Sequence, residues 1–245
     1  MLMETRLPRN SFLTELAPMQ GVVERKSTIP VLSHILLRAE GESVHLAATD
    51  LDVSLTASCE AEVESEGAIA VQARKFIEIV RASAGDEVLL RLEDENQLAI
   101  EIGRSRFKIN GLSAEDFPNL PDVSSDGRID IPFELLQGMI AKVLFAVSTE
   151  ESRFQLNGAL MKLGDGSLSL IATDGYRLAL VENELGGASE SEGVLVPRKA
   201  LQELQRIEGN GALSFGRGEN QRLSVRRRRA VVTAPGLAMR RRSAA

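Results

Sequence analysis

The chain has 245 residues, of which 43% are hydrophobic, 26% charged and 4% aromatic, enough for one large or two medium globular domains. Its formal net charge of −6 joins two unlike regions. Residues 222–245 hold eight Arg and no other charged residue, whereas residues 1–221 carry 21 Lys and Arg against 35 Asp and Glu. With Cys59 as the only cysteine, no run of 18 apolar residues and no signal-peptide core in Met1 to Asn10, neither a disulfide-stapled secreted scaffold nor a membrane protein is expected. We expect a soluble protein of the reducing cytosol.

The first predicted element is an amphipathic helix, with Ser11 or Asn10 available as its N-cap. Its apolar residues recur at i, i+4, i+7 and i+11: Phe12, Leu16, Met19 and Val23. Strands are predicted at residues 35–39, 44–48 and 51–57, the first two around a turn at residues 40–42. A second helix begins near Arg74 and buries Phe76, Ile77 and Val80. Alternating strands follow at residues 88–92, 98–102 and 106–110.

The sequence then repeats itself at an offset of 124 residues, without a gap. The coinciding pairs include Pro8 and Pro132, Ala17 and Ala141, Val23 and Val147, Leu36 and Leu160, Ala48-Thr49-Asp50 and Ala172-Thr173-Asp174, and Arg74-Lys75 and Arg198-Lys199. One offset that holds over nearly 70 residues indicates a duplicated domain. We therefore predict an α+β fold, in which each domain packs two helices on antiparallel strands.

The second copy is predicted to contain the same elements in the same order. Its first helix carries Leu136, Ile140, Val143 and Val147, and its strands cover residues 159–163, 168–172 and 177–182. Its second helix begins near Arg198, just after Pro197, and buries Leu201, Leu204 and Ile207. Prolines and turn formers between Asp116 and Gly127 mark a linker. The predicted boundary lies near residue 125, with domains at residues 1–125 and 126–245.

No catalytic constellation is visible in the sequence. It contains no P-loop, no Gly-x-Ser-x-Gly and no histidine beside a nucleophile and an acid, and His34, His45 and Cys59 cannot form a Cys/His zinc site. Asp50 and Asp174 occupy equivalent places in the two copies, which favours a shared structural turn over a joint active site. We predict a protein that is not an enzyme, with no catalytic or metal-binding residue and no cofactor. The alternative is a duplicated-domain enzyme whose site these motifs do not reveal.

Cations recur on the second helix of each copy. They are Arg74, Lys75 and Arg81 in the first copy and Arg198, Lys199 and Arg206 in the second. In an otherwise acidic body, such helices present a positive face that attracts a phosphate backbone without reading bases. The alternative is an ordinary solvated helix face.

Seven collinear stretches resemble the bacterial sliding clamp, the beta subunit of DNA polymerase III. They are Thr28 to Leu32, Ala73 to Phe76, Gly103 to Phe107, Asp116 to Leu120, Leu156 to Gly158, Ala172 to Ala179 and Val196 to Lys199. The resemblance implies the DNA clamp fold, with helices lining a ring and sheets facing outwards. It also implies that copies of the chain self-associate into a ring around duplex DNA, whatever the DNA sequence. The ring would tether DNA polymerase III for processive replication.

The resemblance also assigns residues to two sites. Arg25 and Lys26 match a basic loop that touches DNA, the helix cations face the channel, and Glu150 stands where the family often has a polar DNA-facing residue. A pocket for short peptide motifs of polymerases and the clamp loader matches six positions: Leu156, Thr173, Gly175, Tyr176, Arg177 and Leu178. Such an apolar floor with a permissive glycine and a Tyr-Arg cap suits an extended peptide. Taken alone, the same residues are also typical of a strand end packed in a core.

The likeness to the family is predicted to stop near residue 221. The family has three such domains, and the third is not found in this sequence. The change to Arg without Lys in residues 222–245 fits a shifted reading frame in GC-rich DNA, with a basic DNA-binding tail as the alternative. Three chains of two domains could still close a ring through heterologous contacts. The alternative function is a truncated remnant that binds clamp-motif peptides and cannot close a ring.

Overall fold

The structure, a computed structural model, describes most of the chain. The described residues are 3–24, 28–94, 96–120, 129–150, 152–164, 166–185, 193–206, 212–217, 222–227, 230–235 and 237–238. The chain divides into two compact units, one of residues 1–120 with 228–231 and one of residues 121–227 with 232–245. The predicted boundary near residue 125 lies outside the described residues.

In its described residues the first domain has nine strands, all in antiparallel pairs, and three α-helices. In chain order they are β1 (Glu4–Pro8), α1 (Arg9–Leu16), α2 (Met19–Val22), β2 (His34–Glu40), β3 (Ser43–Thr49), β4 (Ser54–Glu60), β5 (Glu62–Ser65), β6 (Gly67–Gln72), α3 (Ala73–Ala82), β7 (Glu87–Asp94), β8 (Gln97–Ile102) and β9 (Ser105–Leu112). Within this domain the strands are hydrogen-bonded in the order β5-β1-β7-β8-β9-β6-β2-β3-β4.

The helices of the first domain bury the apolar stripe that the sequence predicts, with one shift. Phe12, Leu16 and Met19 are buried, but Val22 takes the place predicted for Val23, which is only half-buried. The shift follows from Pro18, the N-cap residue of the separate short helix α2. The predicted N-caps were wrong: β1 runs directly into α1, so Pro8 occupies the N-cap position.

The predicted strand at residues 51–57 begins three residues late, at Ser54, because residues 50–53 form a turn. The side chain of Asp50 stabilises that turn, because its Oδ1 accepts hydrogen bonds from the backbone N–H groups of Asp52 and Val53. The other predicted strands and both second helices are present. Strands β1, β5 and β6 were missed, and so were the strands Ile129–Pro132 and Val194–Pro197 of the second domain.

The second domain repeats the plan. Its elements are β10 (Ile129–Pro132), α4 (Phe133–Val143), β11 (Gly158–Gly164), β12 (Ser167–Thr173), β13 (Leu178–Glu184), β14 (Val194–Pro197), α5 (Arg198–Arg206), β15 (Ala212–Arg217), β16 (Arg222–Arg227), β17 (Ala230–Pro235) and β18 (Leu237–Ala238). One sheet has the order β13-β12-β11-β14-β18, and β10, β15 and β16 pair in a second.

The first part of the Arg-rich region, residues 222–227, thus lies in strand β16. Ile207, predicted as a core residue, lies outside the described residues.

Equivalent helix ends are capped by side chains in the two domains. Arg9 of α1 donates from Nε to the carbonyl of Val80 (2.9 Å) and from Nη2 to that of Arg81 (2.8 Å), at the end of α3. Gln137 of α4 donates from Nε2 to the carbonyls of Leu204 and Gln205, at the end of α5. The accepting residues are related by the repeat offset of 124. These bonds join α1 to α3 and α4 to α5, and they satisfy carbonyls that the end of a helix leaves without partners.

Candidate functional site

The cations of α3 lie on its solvent side. Phe76, Ile77 and Val80 are buried against the domain, whereas Arg74, Lys75 and Arg81 are exposed. Arg74 forms an exposed pair with Glu78 one turn later, at 3.0 Å between Nε and Oε1. Such pairs contribute only about 0.3–0.5 kcal/mol, so the guanidinium can exchange Glu78 for another acceptor at little cost.

The cations of α5 are more involved in the protein's own structure. Arg198 is half-buried and donates from Nη1 to the carbonyls of Leu144 (3.3 Å) and Val147 (2.7 Å). Lys199 is also half-buried, and Arg206 pairs at 2.7 Å with Glu203, whose side chain is buried. From the sequence, these three cations were predicted to belong to a positive helix face. The structure gives Arg198 and Arg206 intramolecular partners, and their contact with DNA stays a prediction.

Two further predicted positions concern the DNA contact. Arg25 and Lys26 lie outside the described residues. Glu150 is exposed, and its Oε2 lies 2.9 Å from Nε of Arg153. Its charge is therefore compensated within the chain.

The Thr-Asp pair of each repeat builds the same turn. In the second domain Oδ1 of Asp174 accepts from the backbone N–H groups of Tyr176 (3.0 Å) and Arg177 (3.1 Å), as Asp50 does from the equivalent residues of the first domain. The hydroxyl of Thr173 donates to the Arg177 carbonyl at 2.7 Å, and its counterpart Thr49 donates to the Val53 carbonyl at 3.2 Å. The predicted structural turn is confirmed in both domains.

The third residue of this turn has a left-handed backbone. In the second domain it is Gly175, with φ of +93°, and in the first it is Leu51, with φ of +78°. A left-handed conformation costs an L-residue about 1–2 kcal/mol, which glycine avoids. The first domain therefore tolerates strain that the second domain does without.

Replacing Gly175 by Leu, the residue of the first domain, is expected to lower the free energy of unfolding by about 1 kcal/mol. The turn will still form, because Leu51 shows that its hydrogen bonds accommodate a side chain. Urea denaturation of Gly175→Leu and of the wild type measures the difference. A variant more stable than the wild type would contradict the backbone-strain argument.

Beside the turn of the second domain lies a cluster of exposed apolar side chains, which we call the apolar patch. Tyr176 is 92% exposed, Leu178 65%, Leu180 59% and Phe145 57%. Leu178 and Leu180 alternate along β13, the edge strand of its sheet, so they share one face. Exposed apolar side chains that come together on one surface mark interaction sites.

Five of the six predicted pocket residues belong to this turn and the start of β13, and the sixth, Leu156, lies in the 3-10 helix Phe154–Leu156. Gly175, Tyr176, Arg177 and Leu178 are exposed, while Leu156 and Thr173 are half-buried. Phe145, Leu180 and Arg153 were not predicted. Nη1 of Arg153 would lie 3.4 Å from a Cβ placed on Gly175, which brings Arg153 to the same turn. Phe145 comes from a 3-10 helix, residues Leu144–Ala146, that the sequence pattern does not separate from the preceding helix.

Arg177 is held from two sides. Its Nε donates to Oδ2 of Asp174 at 2.8 Å, and its guanidinium carbon lies 5.6 Å from the centre of the Phe145 ring. The backbone N–H of Tyr176, the side chain of Arg177 and the backbone N–H of Arg177 lower the pKa of Asp174 from 3.8 to about 2.

This turn is therefore expected to resist acid. A carboxyl group whose pKa is lowered by folding contributes stability above its unfolded value of 3.8, and the contribution disappears as the pH falls through about 2. Between pH 4 and pH 3 Asp174 will stay ionised and bonded to Arg177. An NMR titration of the Asp174 carboxyl carbon measures this directly, and a midpoint near 3.8 would contradict it.

In the first domain the side chains at the equivalent two positions are buried. Val53 stands where the second domain has Arg177 and is fully buried, and Ser54 stands where it has Leu178 and is buried too. The Ser54 hydroxyl lies 2.8 Å from that of Thr49, inside the turn. The first-domain turn exposes Leu51 and Asp52, but at the two positions that follow it buries the side chains that the second domain exposes.

Across the described ranges no group of three His, Cys, Asp or Glu side chains could hold a metal ion. Within the same ranges, every helix is too short or too polar to cross a membrane.

Comparison with known proteins gives one family throughout. The profile of the DNA polymerase III beta subunit, N-terminal domain, matches residues 3–121, and that of the central domain matches residues 130–230. The second match extends past residue 221, where the likeness was expected to stop. The beta sliding clamp of Caulobacter vibrioides is 40% identical over 212 residues, and that of Pseudomonas aeruginosa is 35% identical over 222.

These matches cover 84% and 89% of this chain, which spans only 57% and 60% of the length of the two relatives. Among solved structures, the sliding clamps of Pseudomonas aeruginosa and Bartonella birtlesii, each bound to griselimycin, share 31% and 32% identity with it. Their TM-scores are 0.89 and 0.90, over 99% of this chain and 67% of theirs. The predicted clamp fold is confirmed.

Proposed function

This chain belongs to the beta-subunit family of bacterial DNA polymerase III, and from that premise we propose that it works as a sliding clamp. In this proposal it encircles duplex DNA in the cytoplasm and tethers the polymerase, without catalysing a reaction. We assign clamp domain 1 to residues 1–125 and clamp domain 2 to residues 126–245. Affinity for each phosphate can stay low, because escape from a closed ring requires opening it.

The observation that carries the proposal is the difference between the two related turns. Duplication alone would leave both domains with equal surfaces. Instead, Val53 and Ser54 are buried in the first domain, while their counterparts in the second are exposed: Arg177, and Leu178 of the apolar patch. An exposed apolar surface next to a rigid turn suits short extended peptides, such as those by which polymerases and a clamp loader would bind.

The DNA contact rests on the exposed cations of α3, within an acidic body. Lys75 and Arg81 are exposed, and Arg74 has only a weak surface partner. Together with Arg25, Lys26 and the cations of α5, they would hold phosphates without reading bases. Binding of this kind is independent of sequence and falls steeply with salt.

A loading assay tests the proposal. The full chain is loaded with a clamp loader onto nicked circular duplex DNA, separated from free protein, and the circles are then cut. A sliding clamp stays on the circle and is released once the DNA has ends. Binding that ignores the cut, and that decreases with salt, contradicts ring closure and favours the alternative, a protein that binds clamp-motif peptides without encircling DNA.

Griselimycin supplies a separate test of the peptide site, since it is bound in two of the related clamp structures. Isothermal titration of the full chain with griselimycin should give saturable binding at one site. A full chain that shows no binding contradicts a working peptide site in this protein.

A further inference from the structure

The side chain of Arg177 is fixed before any partner arrives. The Nε–H of Arg177 donates a hydrogen bond to Oδ2 of Asp174 at 2.8 Å, and the ring of Phe145 lies against the guanidinium of Arg177. Asp174 is in turn fixed by the backbone N–H groups of Tyr176 and Arg177. A long side chain normally loses conformational freedom when it binds a partner, and this loss reduces the affinity. Here the turn has already restricted it.

The outer end of the guanidinium remains available. Within the described part of the chain, the terminal nitrogens Nη1 and Nη2 of Arg177 have no hydrogen-bond partner, and the side chain is 60% exposed. A guanidinium presents its donors in a planar fork, so fixing Nε also fixes the direction of the terminal N–H groups.

The charge of this fork is already balanced. Asp174 compensates Arg177 at 2.8 Å, and Glu150 compensates the neighbouring Arg153 at 2.9 Å. A carboxylate approaching Arg177 would therefore meet a second carboxylate close by, which reduces the Coulomb gain. An uncharged oxygen, such as a peptide carbonyl, keeps the full hydrogen bonds without that repulsion.

We propose that Phe145 and Asp174 are positioning residues of the peptide site, which hold the Arg177 fork so that it donates to an uncharged carbonyl oxygen of a bound peptide. The inference rests on the proposed peptide-binding function. The inference adds two things: the residues that orient the Arg177 guanidinium, and the chemical class of the oxygen to which it donates. The apolar side chains of the same peptide would lie against Tyr176 and Leu178.

The first domain shows that the fold itself does not need this arrangement. The counterparts of Arg177 and Phe145 there are Val53, which is buried, and Gly21, which lies in helix α2. Asp50 keeps its place and makes the turn together with Thr49, without an Arg or a Phe. Asp50→Asn is therefore a matched control, because it changes the same turn where no fork is present.

The order of Arg177 can be measured without a ligand. In the wild type the Nε–Hε group should give a sharp NMR signal that exchanges slowly with water, identified by its loss in Arg177→Lys. Asp174→Asn keeps the oxygen that receives the backbone N–H groups and replaces the one that receives Nε. Both Asp174→Asn and Phe145→Ala should broaden or remove the signal, and Asp50→Asn should leave it unchanged. A signal unaffected by Phe145→Ala and Asp174→Asn overturns the positioning role.

Titration of the full chain with griselimycin then tests whether the fork is used. Arg177→Ala should raise the Kd about tenfold, and Phe145→Ala and Asp174→Asn about fivefold each. In the Arg177→Ala background either second change should raise the Kd by less than about twofold, because both residues act through Arg177. Asp50→Asn and Phe107→Ala, the latter an exposed aromatic of the first domain, should change it by less than about twofold.

The outcomes separate the two proposals. Additive effects in the double variants overturn the inference while leaving the peptide site in place. A wild type that does not bind griselimycin overturns the use of the fork and the peptide site together, and the NMR signal still decides the positioning role. Competition by about 50 mM acetate would show that the fork receives a carboxylate, and would overturn the assignment to an uncharged oxygen.

Discussion

Phe76→Ala is expected to lower the free energy of unfolding of the first domain by about 3–5 kcal/mol. Phe76 is fully buried on α3, and its ring meets that of Phe12 on α1 edge to face, with 5.9 Å between centroids and 70° between planes. Removing it leaves a cavity between the two helices and the sheet, and also loses the aromatic contact. Urea denaturation followed by circular dichroism measures the change.

Phe107→Ala is the matched control for this stability measurement. Phe107 belongs to the same domain but is 39% exposed, on strand β9. Its removal should cost less than about 1 kcal/mol, since surface substitutions seldom exceed that amount. Equal losses for the two variants would show that the helices do not share a core through Phe76.

Hydrophobic periodicity predicted the helices and strands whose own apolar side chains follow a regular pattern of burial. Helix α3 has a continuous apolar face at Phe76, Ile77 and Val80, and strand β2 alternates between buried and more exposed residues. The missed strands have weaker signals: β5 is polar at an edge, with Glu62 and Glu64, and β6 is a continuous run of small apolar residues that also suits a buried helix. Their structure is decided by the strands beside them.

The candidate site was predicted unevenly for a related reason. The repeat brought Asp174 to attention as a turn residue, because Asp50 stands at the same place, and the hydrogen bonds of the turn are local in sequence. Phe145 could not be found in this way, since its contact with Arg177 crosses 32 residues and depends on how a 3-10 helix ends. The contacts of Arg198 with the carbonyls of Leu144 and Val147 are equally remote in sequence.

The charges of the helices show where composition alone is insufficient. A count of cations treats Arg74, Lys75, Arg198 and Arg206 as equivalent. The structure separates them, because Arg198 holds backbone carbonyls and Arg206 pairs with the buried side chain of Glu203, whereas the cations of α3 remain at the surface. Helix α3 is therefore the better place to test the DNA contact.

Reversing two charges on that helix, Lys75→Glu with Arg81→Glu, is expected to weaken binding of a random-sequence duplex by about 10–100-fold at about 50 mM salt. Each lost phosphate contact should also reduce the slope of log K against log salt by about 0.9. Because both side chains are exposed and contribute nothing to the core, the variant should fold as the wild type does. Fluorescence anisotropy over a series of salt concentrations gives both quantities.

The control must change the net charge equally at another place. Arg38→Glu with Arg104→Glu does so: Arg38 is exposed on β2, on the sheet face opposite the buried Leu37 and Ala39, and Arg104 is exposed in the turn after β8. If binding followed only the overall charge of the acidic body, the two double variants would lose affinity equally. A loss confined to the α3 variant, with an unchanged slope in the control, is expected if phosphates lie along α3. Equal losses, or a larger loss in the control, would place the DNA on a different surface of the domain.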